Sequence, residues 1–157
     1  MGTLQEAAAE FLASDGIAVV GASRDRNSAG NAIYLKLRES GVRVVPVNGR
    51  AQELEGNPCF PDLKSIPGAV QAAFIVAPKH AALDVVKQCK ELGIRRVWIH
   101  GSFGFAGVSS DAVDFCRREG IRVIAGACPM MFCPPVDSGH RCMRTVLGWL
   151  HRLPSGE

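Results

Sequence analysis

The chain has 157 residues, 47% of them hydrophobic and 21% charged, with a formal net charge of +3. That length fits a single domain, taken here as 1–157, and the apolar fraction is enough for a real core. A small positive charge scattered along the chain, with few aromatic residues, gives no support to a nucleic-acid partner, and no apolar run approaches the roughly 20 residues of a membrane span. The N-terminus carries Gln5 and Glu6 rather than a basic-then-apolar leader, so the expected location is cytoplasmic.

Thr3-Leu4-Gln5-Glu6 has the form of a capping box, opening a helix with Leu4, Ala8, Phe11 and Leu12 on one face. Ser14-Asp15-Gly16 ends it, and Ile17–Val20 reads as the first strand. That strand stops at Gly21-Ala22-Ser23-Arg24, and a helix follows from about Gly30 to Ser40, with Asn31 at its start and Gly41 as its C-cap. A β-strand, a glycine, small residues and a helix N-terminus in that order form a nest of N–H groups suited to a phosphate. The same pattern also serves as an ordinary βα turn. Val42–Val47 is a second strand, ending in Asn48-Gly49-Arg50.

Ala51–Gly68 is irregular, with Cys59-Phe60 in a short extended piece. Ala72–Ala77 is all apolar, as a strand buried on both faces should be. Lys79–Leu92 is an amphipathic helix closed by Gly93, and Arg96–His100 is a fourth strand. Val108–Glu119 is a helix opened by Ser109-Ser110-Asp111, Ile121–Ala125 is a fifth strand, and Val136–Leu153 reads as a final helix. Its apolar Val146, Leu147, Trp149 and Leu150 suit either packing on the sheet or a homodimer contact. The alternation implies one doubly wound α/β domain, a mainly parallel five-stranded sheet with helices on both faces.

Six cysteines, at 59, 89, 116, 128, 133 and 142, are expected as free thiols in a chain without an export signal. Cys128, Cys133, His140 and Cys142 fit no common zinc spacing, so no metal is expected.

Ligands of such sheets sit outside the carboxyl ends of the strands, where strand order reverses. The residues there are Gly21 to Arg24, Asn48 to Arg50, Ala77-Pro78-Lys79, His100-Gly101-Ser102 and Gly126-Ala127-Cys128-Pro129. Arg24, Arg50 and Lys79 put positive charge on one rim, suited to a ligand with several phosphates. A dinucleotide site calls for Gly-x-Gly-x-x-Gly and an acidic residue after the second strand; Ser23, Arg26 and Asn48 stand at those positions, against NAD.

Val19-Val20-Gly21-Ala22-Ser23-Arg24, Val44-Val45-Pro46-Val47-Asn48, Ile75-Val76-Ala77-Pro78, Val97-Trp98-Ile99-His100 and Cys128-Pro129 together resemble the CoA-binding domain family. These are small stand-alone proteins similar to the N-terminal domain of the succinyl-CoA synthetase α-subunit. Cys59 to Pro67 resembles the family's segment between the second and third strands. The resemblance covers about residues 10–135 and implies a Rossmann-like domain that binds coenzyme A. It places Gly21, Ser23 and Arg24 at the phosphates, with Ala22 and Asn31 as further CoA-binding candidates of the same turn, and Asn48-Gly49-Arg50 at a strand-end turn where Arg50 would assist CoA binding. Val76, Ala77 and Pro78 would line the slot beside adenosine and pantetheine. His100-Gly101 and Cys128-Pro129 complete the edge, Ala127 replacing the asparagine of the synthetase's Asn-Cys-Pro.

The synthetase forms its phosphohistidine in a second domain, so its activity does not carry over. The expectation is a module that binds CoA or an acyl-CoA without catalysis, as a carrier, sensor or regulatory partner, with a mixed disulfide between Cys128 and CoA, Cys133 resolving it, as a further hypothesis. An NAD(P)-dependent oxidoreductase or redox sensor is the first alternative. An acyl-group-processing enzyme is the second, weakened by the lack of a Gly-x-Ser-x-Gly elbow.

Overall fold

The computed structural model describes residues 3–101 and 107–149. Ser102, Leu150, His151 and the expected end of the last helix at Leu153 lie outside those residues. The elements are α1 (Leu4–Leu12), β1 (Ile17–Val20), α2 (Ala29–Glu39), β2 (Val44–Val47), β3 (Glu53–Leu54), β4 (Asn57–Pro58), β5 (Ala72–Ile75), α3 (Lys79–Glu91), β6 (Arg96–Ile99), α4 (Ser110–Arg118), β7 (Arg122–Ala125) and α5 (Ser138–Trp149), with a 3-10 turn at Pro129–Met131 before α5.

Five strands form one sheet in the order β2-β1-β5-β6-β7, and every neighbouring pair is parallel. The order reverses between β1 and β5, so the switch point lies where the chain leaves those two strands. The expected doubly wound α/β sheet is the observed one.

Because side chains alternate along a strand, each central strand feeds two cores. Ile17, Val19, Phe74, Trp98 and Ile124 pack with Phe11, Tyr34, Leu37 and Met131 on the face covered by α1, α2 and the 3-10 turn. Ala18, Ala73, Ile75, Val97 and Val123 pack with Ala82, Val86, Cys89, Ala112 and Cys116 on the face of α3 and α4. Phe11 meets Trp98 edge-on at 5.4 Å between centroids, and the buried indole Nε1 donates to the Gly126 carbonyl at 2.9 Å. Burying side chains of this size contributes roughly 1.5–3 kcal/mol each.

The caps follow the sequence with some shifts. At α1 the Glu6 N–H donates to Thr3 Oγ1 and the Thr3 N–H to Glu6, the complete capping box. Ser28, not Gly30, opens α2, its hydroxyl accepting from the Asn31 N–H at 3.1 Å. α5 starts at Ser138 because the Asp137 carboxylate accepts the His140 N–H at 3.0 Å. β2 starts at Val44, after Gly41 has turned the chain at φ +84°.

The irregular stretch contains a small antiparallel hairpin, β3–β4, turned by Glu55-Gly56, which was not expected. The extended piece at Phe60 is present and bridges Val47 in parallel. No helix among the described residues is long and apolar enough to cross a membrane.

Candidate functional site

Gly21 leaves β1 at φ +91°, a left-handed conformation. A Cβ built there would lie 1.9 Å from the Val76 carbonyl oxygen, because the exits of β1 and β5 press together at the switch point. Gly30, in the first turn of α2, is as tightly placed: its Cβ would fall 2.1 Å from the Gly21 carbonyl oxygen. These two glycines let the N-terminus of α2 sit directly against the end of β1.

The loop between them is built from its own polar side chains. Ser23 Oγ accepts the Asp25 N–H at 3.0 Å, Asp25 accepts the Asn27 N–H at 2.9 Å, and the Ser28 hydroxyl donates to the Asp25 carbonyl at 2.7 Å. Asn31, 1% exposed, donates through Nδ2 to the Ser23 carbonyl at 2.8 Å and to Glu55 Oε1 at 3.1 Å. From the next strand end, Asn48 Nδ2 donates to the Ala22 carbonyl at 2.7 Å, and its oxygen accepts the Arg50 N–H at 2.8 Å. Asn31 and Asn48 therefore hold the turn's carbonyls in place. With Ala22 and Ser23 carbonyls drawn into the protein, the N–H groups of Ala22, Ser23 and Arg24 donate to no described acceptor. Consecutive unbonded N–H groups are what an anion-binding nest requires.

Arg24, Arg50 and Lys79 are exposed, and none of their side chains bonds a described residue. Val76 and Ala77 are half-buried and Pro78 is exposed ahead of α3. Gly101 and Pro129 are buried. The His100 ring, half-buried, lies 6.1 Å from Phe74, and burial pushes its pKa down, which favours the neutral imidazole. Its Nδ1 is buried without a hydrogen-bond partner among the described residues. Cys128 is half-buried, with burial pushing its thiol pKa up and Asp137 adding to that, against the Met130 N–H, which lowers it. Cys133 is 2% exposed. Among the described residues no three His, Cys, Asp or Glu side chains converge as a metal site would need.

A groove of about 380 Å3 runs along α2 beside this loop, touching Arg26, Asn31, Glu55 and Met130. A larger cavity, about 670 Å3, lies at the opposite, amino-terminal edge of the sheet, against Arg95, Arg96 and Arg122. Two of its three arginines have described partners. Arg96 and Arg122 stand in register on neighbouring strands; Arg96 reaches the Ser14 hydroxyl at 3.5 Å and Arg122 pairs with Glu10. Both residues belong to the end of α1 or just beyond it, a helix with no basic residue in its own last turn. At the carboxyl edge the side chains of Arg24, Arg50 and Lys79 and the N–H groups of Ala22, Ser23 and Arg24 bond no described residue.

Unbonded N–H groups and exposed arginines suit phosphates, and an orphaned imidazole nitrogen suits a polar group further along a ligand. From β1 to β7 is three strand spacings, about 14 Å, the span a ligand with phosphates at the β1 turn would need to cross to meet residues that follow β6 and β7. Sequence reading missed Glu55, Asp25 and Ser28. Glu55 carries no motif signal, whereas Asp25 and Ser28 are residue types that build Asx and Ser turns.

The profile that defines the CoA binding domain family matches residues 15–134. The chain is 34% identical over 125 residues to acetate–CoA ligase (ADP-forming) II subunit alpha of Pyrococcus furiosus, an alignment covering 75% of this chain and 27% of that one. It spans about a quarter or less of the curated relatives it matches. Among solved structures it resembles a hypothetical protein from Pyrococcus horikoshii OT3, with a TM-score of 0.77, 25% identity and coverage of 86% of this chain and 93% of that one. It also resembles the dinucleotide-forming acetyl-coenzyme A synthetase 1 of Ca. Korarchaeum cryptofilum in complex with phosphate and ADP, at a TM-score of 0.65 and 27% identity, covering 78% and 28%.

Proposed function

The chain belongs to the CoA-binding domain family, and we propose that it takes coenzyme A or an acyl-CoA at the carboxyl ends of β1 and β5, as a non-catalytic carrier, sensor or regulatory module. The observation that carries this reading is the run of unbonded N–H groups at Ala22, Ser23 and Arg24, beside the exposed Arg24 side chain, at the switch point of the sheet. In the proposed pose these N–H groups and Arg24 meet the phosphates, and Arg50 and Lys79 add charge from the neighbouring strand ends. Val76, Ala77 and Pro78 flank the adenosine and pantetheine, and His100 offers Nδ1 to a polar group of the pantetheine arm.

Asn48 bears on the choice between CoA and NAD(P). A dinucleotide site uses an acidic residue there to hold ribose hydroxyls; here both ends of the carboxamide are taken up by the Ala22 carbonyl and the Arg50 N–H. Family membership and this engagement favour CoA.

The proposal extends to Cys128. Half-buried Cys128, three residues beyond β7 at the start of the 3-10 turn, lies on the edge where the thiol end of CoA would arrive. Attack by the Cys128 thiolate on CoA disulfide would form one mixed disulfide and release one CoA thiol, with CoA disulfide as the oxidant.

Thermal stability measured with CoA and with NADPH tests the main reading. A ligand at ~100 times its dissociation constant adds roughly 2.7 kcal/mol, a shift of several degrees. The expected outcome is a shift with CoA, reduced in Arg24→Ala and absent with NADPH. A shift with NADPH alone would move the protein to the oxidoreductase reading.

A further inference from the structure

Glu55 is the first residue of the two-residue turn of the β3–β4 hairpin and has φ +48°, a conformation that suits glycine or asparagine rather than glutamate. Its carbonyl is held from two sides, by Arg38 Nη1 at 2.9 Å and Asn57 Nδ2 at 3.1 Å. The strained backbone sends a carboxylate into the anion-binding loop, 29 positions earlier in the chain. There Oε1 accepts from Asn31 at 3.1 Å and Oε2 pairs with Arg26 at 3.4 Å. The Glu55 side chain is 18% exposed and that of Arg26 is 80% exposed. The groove along α2 touches both members of the pair, so there is open space for a ligand against them.

A negative charge planted beside a nest for phosphates is unfavourable for anion binding unless it has a task. We propose that Glu55 is an internal competitor for the ligand's phosphates: it holds Arg26 when no ligand is bound and yields it to a polyphosphate ligand. This rests on the phosphate-turn reading above and adds a specificity-determining pair to it. The contest is physically graded. A singly bonded pair at 3.4 Å whose arginine is largely exposed is weak. A phosphate takes a guanidinium through two short, charge-assisted bonds. A ligand with several phosphates therefore wins Arg26, whereas one lacking phosphates leaves it with Glu55. Asn31 stays in place throughout, because its second bond to the Ser23 carbonyl does not involve Glu55.

The test is a calorimetric titration of wild type, Glu55→Gln, Glu55→Asn, Arg26→Ala and the double variant Glu55→Gln with Arg26→Ala, using CoA and pantetheine. Glutamine keeps an acceptor for Asn31 but loses the charge. Asparagine suits the left-handed backbone and is too short to keep the pair, so it guards against a folding defect in the first variant. The expected result is CoA binding tightened about two- to fivefold in both single variants at Glu55. The gain should vanish in the double variant, and pantetheine affinity should not change. Unchanged or weaker CoA binding in folded Glu55→Gln and Glu55→Asn would overturn the proposal while leaving the CoA reading intact. A gain that survives removal of Arg26 would overturn it equally. Wild type failing to bind CoA at all would overturn the phosphate-turn reading itself, and this proposal with it.

Discussion

Burial sets the chemistry of the thiols one residue at a time. Cys89 and Cys116, buried in the α3–α4 face, are pushed up to about 12, chiefly by desolvation of the thiolate. Cys128 moves in the same direction for the same reason, but it is half-buried at the ligand edge. Only the thiolate attacks a disulfide, so a raised pKa leaves the reactive fraction small at neutral pH and lets it grow as pH rises. Exchange with CoA disulfide should therefore be faster at about pH 9 than at about pH 7. Cys142 is exposed, so intact-mass analysis belongs on a Cys142→Ser background. The expected product is a reducible CoA adduct that is lost in Cys128→Ser; an equal adduct without Cys128 would end the idea. Ala127, just before, is 1% exposed and sits at φ +60°. An asparagine, as in the synthetase motif, tolerates that backbone region better than alanine does.

At the scale of elements, the packing of α2 on β1 shows where propensity and geometry disagree. In a helix interior alanine is favoured over glycine by about 1 kcal/mol. At Gly30 the added methyl would meet the Gly21 carbonyl oxygen at 2.1 Å, backbone against backbone with no flexible side chain to yield. Gly30→Ala should therefore destabilise the protein by about 1–3 kcal/mol and loosen the phosphate turn, seen as a lower denaturant midpoint and weaker CoA binding. A midpoint at or above wild type would show that α2 can back away from β1. The strands and helices were legible because their signals are local: β1 is bounded by Gly16 and Gly21, and α1 carries its capping box within four residues. The β3–β4 hairpin was not, because Glu55 in a left-handed turn is a choice no turn rule favours. Gly30 was legible as a glycine at a helix start, but its reason depends on a carbonyl nine positions earlier. The Glu55–Arg26 pair joins positions whose separation carries no periodicity.

The two edges of the sheet differ in their backbone and in how their cations are placed. At the amino edge, Arg96 reaches Ser14 just beyond α1 and Arg122 pairs with Glu10 in its last turn, while the Arg95 side chain bonds no described residue. At the carboxyl edge, the N–H groups of Ala22 to Arg24 bond no described acceptor, and exposed Arg24, Arg50 and Lys79 follow the exits of β1, β2 and β5, the strands at and beside the switch point. Strand order decides this asymmetry: a parallel sheet puts every strand exit on one side, and the reversal between β1 and β5 opens the crevice there. The sequence identified that edge, since each strand end could be read directly. It could not show which polar groups there are engaged internally, as Asn31 and Asn48 are, because those bonds join loops from different strands.

The most direct test of CoA binding at the carboxyl edge is a map of backbone amide shifts in 15N-labelled protein titrated with CoA. The largest perturbations are expected at Gly21 to Arg26 and at Val76 and Ala77, extending to His100 and Cys128, with Gly93, Arg95, Arg96 and Arg122 left unmoved. Perturbations centred on those arginines instead would place the ligand in the larger cavity at the other edge and contradict the account.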